Sequence, residues 1–171
     1  MIFYGGEYMY KEEQDIIKQG ILNEIEGYEF YKLAAKEIDG QNNKNSFLEL
    51  ANEELKHIEY LKDLLKEIEK SETDDINLSS LKSIESPGIF TWDKVDNDFL
   101  SLAISVYSIG MQMEKDSIEF YEQAKNKTEY KEAKDLYDLL IKWEMVHLEQ
   151  FTKQYDLYTK DWWLQQGFAP F

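Results

Sequence analysis

The chain contains two histidines, and each stands three residues after a glutamate, in the Glu-x-x-His segments 54–57 and 144–147. A further glutamate precedes each segment by thirty residues, at Glu24 and Glu114. Carboxylate oxygen and imidazole nitrogen, without thiolate, form a ligand set that suits iron or manganese and permits zinc. A single Glu-x-x-His segment is usually a solvated helix face, but two copies with the same spacing indicate a metal site.

These residues belong to a repeat that extends over most of the chain. A shift of 90 residues aligns the two halves without gaps. The aligned residues include both histidines, the glutamates before them and one tyrosine in each half: Glu24 and Glu114, Tyr31 and Tyr121, Glu54 and Glu144, His57 and His147. Spacings of three and seven residues place side chains on one face of a helix. The repeat therefore predicts two copies of one helix pair, packed about an approximate two-fold axis.

Apolar residues recur every three or four positions through most of the chain, a period that is typical of helices. Four long helices are predicted, at about residues 11–38, 44–70, 96–126 and 130–158. Short connections at 39–43 and 125–128 make the helices of each pair antiparallel. Residues 71–95 are polar and contain Pro87 and Gly88. They predict the long crossover that a four-helix bundle needs when its second and third helices run parallel.

A single all-α domain over residues 1–171 is therefore expected. Its parts are the helix pair 11–70, the crossover 71–95, the helix pair 96–158 and an aromatic tail at 159–171. The tail includes the adjacent Trp162 and Trp163. Because exposed aromatic side chains form a sticky patch, we expect the tail to fold over one end of the bundle or over a neighbouring subunit. The alternative is a docking peptide.

Composition excludes several other classes of function. The 171 residues include no cysteine, so disulfides, zinc ribbons, iron–sulfur clusters and thiol catalysis are excluded. The net charge is −16 and all 19 basic residues are lysine, so nucleic acid is an unfavourable partner. The longest uncharged stretch, residues 99–113, is too short to cross a membrane, and the first residues do not form a signal peptide. We expect a cytoplasmic protein with no membrane partner.

The four glutamates lie on helix faces that are otherwise apolar, so they are predicted to point into the core. An unpaired carboxylate there costs several kcal/mol or becomes protonated. Protons, lysines or metal ions could neutralise them, but no lysine recurs in register on these faces. Two divalent cations bring +4 against −4 and also explain the two imidazoles. We therefore predict a pair of metal ions.

The arrangement resembles the ferritin-like di-iron carboxylate proteins and, among them, the rubrerythrin family. Residues 24–31 (Glu-Ile-Glu-Gly-Tyr-Glu-Phe-Tyr) and 114–121 (Glu-Lys-Asp-Ser-Ile-Glu-Phe-Tyr) are similar to signatures of that family's first and third helices. The resemblance covers most of residues 11–158. It implies a ferritin-like four-helix bundle that holds two iron ions, with manganese or zinc as possible substitutes.

The resemblance also implies a role for each repeated residue. Six side chains would be ligands, as terminal carboxylates, bridging carboxylates and one histidine per metal: Glu24 and Glu114, Glu54 and Glu144, His57 and His147. Tyr31 and Tyr121 would hydrogen-bond the ligand carboxylates or relay an electron. Glu53 could rival Glu54, since it lies one turn before His57. The repeat places Trp143 at the position that matches Glu53, so Glu53 is interpreted as a solvated residue or as one that supports a ligand.

The activity that the resemblance implies is that of an oxidoreductase reacting with hydrogen peroxide or dioxygen. Rubrerythrins usually carry a rubredoxin domain that supplies electrons. A chain without cysteine cannot build one, so an external donor such as a rubredoxin is expected. The family also has an additional glutamate one turn after the third-helix ligand, where this chain has Ser117. This departure favours a ferroxidase- or oxidase-type pattern over peroxide reduction.

Two other functions therefore stay open. One is a ferroxidase or iron-storage protein, and the other is a bundle in which the metal only neutralises buried carboxylates. Dimers are common in the family, so a homodimer is expected. Glu26 and Asp116, two residues after the predicted terminal ligands, are interpreted as surface charges.

Overall fold

Four long helices make up the fold. The computed structural model describes residues 4–70, 92–94, 96 and 99–167. The helices are α1 (Tyr4–Glu37), α2 (Gln41–Lys70), α3 (Leu100–Lys127) and α4 (Lys131–Gln165). Across these residues there is no strand, and no helix combines the length and the apolar character that crossing a membrane requires. The all-α four-helix prediction is confirmed.

Two helix boundaries differ most from the predicted ones, while the starts of α2 and α3, at Gln41 and Leu100, lie within four residues of the predicted starts near 44 and 96. α1 begins at Tyr4 rather than near residue 11, and α4 continues to Gln165 rather than ending near residue 158. The inward-facing period of α4 runs on through Tyr158 to Trp162, which packs against the core, whereas Trp163 is exposed. The helix ends where Gly167 adopts a φ of 74°, a left-handed conformation that glycine adopts readily. Part of the predicted tail is thus helix, and residues 168–171 lie outside the described residues.

The helices pack mainly as two antiparallel pairs, α1 with α2 and α3 with α4. Contacts between α1 and α3 fix the relation of the pairs. Tyr31 of α1 bonds to Glu114 of α3, and Tyr121 of α3 bonds to Glu24 of α1, so these helices are also antiparallel. Because α1 runs antiparallel to both α2 and α3, these two helices run parallel to each other. A parallel pair requires a long crossover between them. Most of the predicted crossover 71–95 lies outside the described residues.

The end of that crossover is fixed to the bundle through Asp93. Its carboxylate accepts hydrogen bonds from the backbone N–H of Asn42, at 2.8 Å, and from the Asn42 side chain, at 2.6 Å. Because Asn42 lies in the first turn of α2, the carboxylate satisfies a helix N–H that has no partner within the helix. The Tyr158 hydroxyl donates to the Asp93 carbonyl, at 2.8 Å. These bonds hold the chain against both helix pairs.

Two apolar clusters fill the two ends of the bundle, and a polar layer lies between them. The first cluster contains Tyr31, Phe47, Tyr107 and Phe151. The second contains residues from all four helices at the opposite end: Ile17, Leu61, Tyr121 and Tyr137. Both clusters are inaccessible to water or nearly so. The residues that could do chemistry are thus enclosed by apolar packing along the bundle axis.

The repeat provides a matched test of packing in Gly20 and Gly110, which align under the 90-residue shift. A Cβ on Gly110 would lie 2.8 Å from Phe151 Cε2, whereas one on Gly20 would lie no nearer than 3.4 Å to any neighbour. Phe151 is fully buried, so it has little room to move.

We therefore expect Gly110→Ala to lower the free energy of unfolding by about 1 to 3 kcal/mol, because it overpacks the core. Gly20→Ala should be neutral or stabilising by up to about 1 kcal/mol, because alanine favours helix. Urea denaturation of the two variants and of the wild type measures both effects. Equal losses in the two variants would contradict this account of the Gly110 contact.

Candidate metal centre

All six predicted ligands meet in the polar layer at the middle of the bundle. Each is at most 3 % exposed. They form two groups, and within each group the ligand atoms lie within 4.8 Å of one another: Glu24, Glu54, His57 and Glu144 in one, Glu54, Glu114, Glu144 and His147 in the other. Glu54 and Glu144 belong to both groups. All four helices contribute ligands, and the spacing of three residues places the glutamate and the histidine of α2, and those of α4, on one face of their helix.

Around His57, three carboxylates converge on one ring nitrogen. Nδ1 lies 3.1 Å from Glu24 Oε2, 3.0 Å from Glu54 Oε2 and 3.1 Å from Glu144 Oε1. A ring nitrogen carries one proton or one lone pair, so it cannot satisfy three oxygens. Within the described part of the chain, Glu54 Oε2 and Glu144 Oε1 are buried without a hydrogen-bond partner. Ligand atoms that share one ion at about 2.1 Å stand roughly 3 Å apart, so the spacing fits a cation.

The second group is similar but more open. His147 Nδ1 lies 3.2 Å from Glu144 Oε2, 3.6 Å from Glu114 Oε1 and 3.7 Å from Glu54 Oε1. The centroids of the His57 and His147 rings are 6.1 Å apart. Each group contains three carboxylates and one imidazole, and the two groups share two of the carboxylates. This is the composition of a two-metal site. The residues present therefore fit a pair of cations.

The two predicted tyrosines connect the halves of the site. The Tyr31 hydroxyl donates to Glu114, and the Tyr121 hydroxyl donates to Glu24. Burial raises the pKa of both hydroxyls, and the nearby carboxylates raise it further. Both tyrosines thus keep their protons and act as donors. Each one orients the carboxylate that is not shared between the two groups.

Glu53 is the residue whose role the sequence left open. It is 5 % exposed and its Oε2 lies 2.7 Å from His147 Nε2, so it is not solvated. It contacts the nitrogen of His147 that faces away from the carboxylate groups. Trp143, at the matching position, is 6 % exposed and stacks on His57. The apolar residue at the matching position was the available signal that this position is buried.

A cavity of about 250 Å³ leads to the site between α1 and α3. Gly27 and Ser117, which align under the 90-residue shift, both line it, as do Glu26 and Asp116. The latter two are exposed, as expected of surface charges. The cavity wall also includes three predicted ligands, Glu24, Glu54 and Glu114. The cavity therefore connects solvent to the candidate metal centre. Its volume is sufficient for a small molecule such as peroxide or dioxygen.

Comparison with known families matches the rubrerythrin family model to residues 15–155. The chain belongs to the rubrerythrin family. The matched range contains all six buried ligand candidates and both tyrosines, so the resemblance in the sequence is confirmed at the level of the family. Membership implies a ferritin-like bundle and a di-iron carboxylate centre. Comparisons with curated proteins and with solved structures gave no match.

The carboxylates of this rubrerythrin-family site do not titrate alike. Burial raises the pKa of Glu54, and the charges of Glu144 and Glu24 raise it further. Burial, assisted by Glu144, raises the pKa of Glu114 to about 8. The pKa of Glu144 lies well below its usual range: burial opposes this shift, but the positive charges of His57 and His147 and the hydrogen bonds from both rings together outweigh burial. Protons on some carboxylates thus reduce the negative charge of the metal-free layer.

The nearby carboxylates also keep both histidines protonated in the metal-free chain. Burial lowers the pKa of His57 and His147, but their neighbours outweigh it, chiefly Glu144 and Glu54 for the first and Glu114 for the second. The pKa of each imidazole therefore lies well above its usual value. In the metal-free chain, protons neutralise the layer in place of cations. Metal binding requires deprotonated ligands, so it must release these protons.

The metal-free protein should lose stability as the pH rises from 6 to 9. A group whose pKa is higher in the folded chain than in the unfolded one stabilises the fold below its unfolded pKa, and this contribution is lost as the pH passes its folded pKa. For Glu114 the loss ends near its folded pKa of about 8. His57 and His147 act in the same direction, while the lowered pKa of Glu144 acts only at more acidic pH.

Glu114→Gln removes one of these titrations. Its free energy of unfolding should fall less steeply between pH 6 and 8, by up to about 1.4 kcal/mol per pH unit. Denaturation of chelator-treated protein at several pH values measures the slopes. Glu122→Gln, an exposed change on the same helix, is the control and should behave as the wild type. Equal slopes for Glu114→Gln and the wild type would contradict the prediction.

Proposed function

We propose that the chain is a di-iron carboxylate oxidoreductase that reduces hydrogen peroxide or dioxygen with electrons from an external donor. The observation that supports this most directly is the pair of buried carboxylate–histidine groups that share Glu54 and Glu144. A redox reaction of an O–O bond needs two electrons at one place. Two metal positions joined by shared carboxylates are suited to deliver them together.

In this proposal the six residues are the metal ligands. Glu24 and Glu114 would each serve one position, Glu54 and Glu144 would serve both, and His57 and His147 would each complete one position. The oxygen and imidazole donors suit iron, and manganese or zinc are substitutes. Two ferrous ions held there would supply the two electrons that, with two protons, convert hydrogen peroxide to two water molecules.

The chain's own residues prepare the site for this substrate. The cavity beside Gly27 and Ser117 offers a route for a small molecule to reach Glu24, Glu54 and Glu114. Tyr31 and Tyr121 hold the two unshared carboxylates by hydrogen bonds and keep hydroxyl protons within the layer. The apolar clusters at both ends exclude water along the bundle axis, which strengthens electrostatic interactions inside.

Electrons would come from a separate protein. The 171 residues contain no cysteine, so this chain provides no thiolate-ligated iron centre to store them. A small electron carrier such as a rubredoxin is the proposed donor. We also expect a homodimer, as is common in the family.

Anaerobic loading with ferrous iron tests the proposal. Metal-free protein should take up two iron ions, and hydrogen peroxide or dioxygen should then be consumed repeatedly while a reduced rubredoxin is supplied. Glu54→Ala should bind fewer than two ions and consume the oxidant about 10- to 100-fold more slowly. Glu59→Ala, an exposed change on the same helix, is the control. The proposal is wrong if the protein binds two ions but oxidant is consumed no faster than by free iron.

A ferroxidase or iron-storage protein is the second candidate. It is favoured by Ser117 at the place of the family's additional glutamate, and by the exposed acidic residues Glu26 and Asp116 beside the cavity. These charges would attract a ferrous cation. Mineral storage needs a closed shell of many subunits, so size-exclusion chromatography that shows only a monomer or a dimer would eliminate it. Tight zinc binding without turnover would instead indicate a structural metal.

A further inference from the structure

The two histidines have the same kinds of predicted ligands beside them, but they differ at one aligned position that contacts each ring. Under the 90-residue shift, the residue just before each Glu-x-x-His segment is Glu53 in the first half and Trp143 in the second. Each of these side chains crosses to the other half of the bundle. Glu53 contacts His147, and Trp143 contacts His57. The two imidazoles therefore meet a carboxylate in one case and an indole in the other.

On the side of His147, Glu53 can set the state of the imidazole. The distance from His147 Nε2 to Glu53 Oε2 is 2.7 Å, and both residues are buried. At this distance the imidazole N–H donates and the carboxylate oxygen accepts, so Nε2 carries the proton. When the ring is neutral, Nδ1 then presents its lone pair toward Glu54, Glu114 and Glu144. A carboxylate at the outer nitrogen also makes the imidazole a stronger ligand.

On the side of His57, Trp143 cannot do this. The two rings are stacked, with centroids 5.0 Å apart and planes 6° from parallel. An indole offers an N–H donor and no acceptor, so Trp143 cannot receive a hydrogen bond from the imidazole. It holds the ring by packing and adds no negative charge. The orientation of His57 is constrained, but Trp143 does not select its tautomer.

The other ligands are of the same chemical kind at the two positions, although the His147 group is more open. Each group contains three carboxylates and one histidine, and two of the carboxylates are shared. Each unshared carboxylate accepts a hydrogen bond from one tyrosine, Glu114 from Tyr31 and Glu24 from Tyr121. The clearest difference in chemistry between the two positions is thus the exchange of Glu53 for Trp143.

We propose that Glu53 is a positioning residue that makes the two metal positions unequal, so that the position containing His147 fills first and binds a divalent cation more tightly. This inference rests on the proposed di-metal function. A chain that is supplied with one ion would hold it beside His147. The position beside His57 would fill only at a higher free metal concentration, so the two-electron site would assemble in order.

Single-site variants separate the two positions. His57→Ala leaves the group of Glu54, Glu114, Glu144 and His147, and His147→Ala leaves the group of Glu24, Glu54, His57 and Glu144. Competition with a chromophoric chelator gives the dissociation constant of Co²⁺ for each variant, and the visible spectrum of bound Co²⁺ reports its ligand field. We expect His57→Ala to bind Co²⁺ about 10- to 100-fold more tightly than His147→Ala.

Glu53→Gln is then placed in both backgrounds. It should weaken Co²⁺ binding about 10- to 100-fold when combined with His57→Ala, and less than about 3-fold when combined with His147→Ala. Glu53→Ala should weaken the first combination further, because the amide of glutamine can still accept a hydrogen bond. Glu49→Gln, an exposed change one turn earlier on α2, is the matched control and should alter neither constant. Thermal unfolding of each metal-free variant checks that it is folded.

The possible failures are distinguishable. If the wild type binds two ions but Glu53→Gln weakens both single-site variants equally, or neither, the inference is overturned and the proposed function stands. Equal affinities of His57→Ala and His147→Ala would have the same meaning. If the wild type binds no divalent ion at all, both the inference and the proposed di-iron function are wrong.

Discussion

Charge balance in the buried layer is the constraint on which the rest of the structure depends. Four carboxylates and two imidazoles lie at the centre of the bundle, each at most 3 % exposed. Ions in such a place cost several kcal/mol unless opposite charge accompanies them. In the metal-free chain the compensation comes from protons, on His57, on His147 and on carboxylates such as Glu114. Cations replace those protons when they bind. The layer can therefore exchange protons for metal cations.

The duplicated helix pair builds this layer from two copies of one set of residues. One pair supplies a carboxylate on its first helix and a Glu-x-x-His segment on its second, and the other pair supplies the same set. Neither pair alone completes a group, since each group draws on Glu54 and Glu144 from different halves. The repeat is not exact around the site. Gly27 faces the cavity opposite Ser117, and Glu53 stands where the second half has Trp143.

Much of this architecture could be predicted from the sequence, because helical spacing converts directly into position. The intervals of three and thirty residues identified the six predicted ligands that the fold brings together, and the interval of seven identified the two tyrosines. Glu53 was harder to interpret, because neighbouring helix residues differ by about 100° and both can be buried when two other helices pack nearby. The end of α4 was placed too early because the aromatic composition after Tyr158 outweighed a period that continues to Trp162. The cavity depends on the separation of α1 and α3, which no sequence period encodes.

The reciprocal tyrosine bonds have a mechanical consequence. Tyr31 reaches Glu114 and Tyr121 reaches Glu24 across the same pair of antiparallel helices. On each helix the glutamate and the tyrosine are seven residues, or about 10 Å, apart along the helix axis. Sliding α1 past α3 would stretch both at once, and tilting one helix against the other would stretch at least one. The two tyrosine hydrogen bonds thus fix how α1 and α3, and with them the two repeats, are aligned. Other contacts between these two helices are sparse compared with those inside each helix pair.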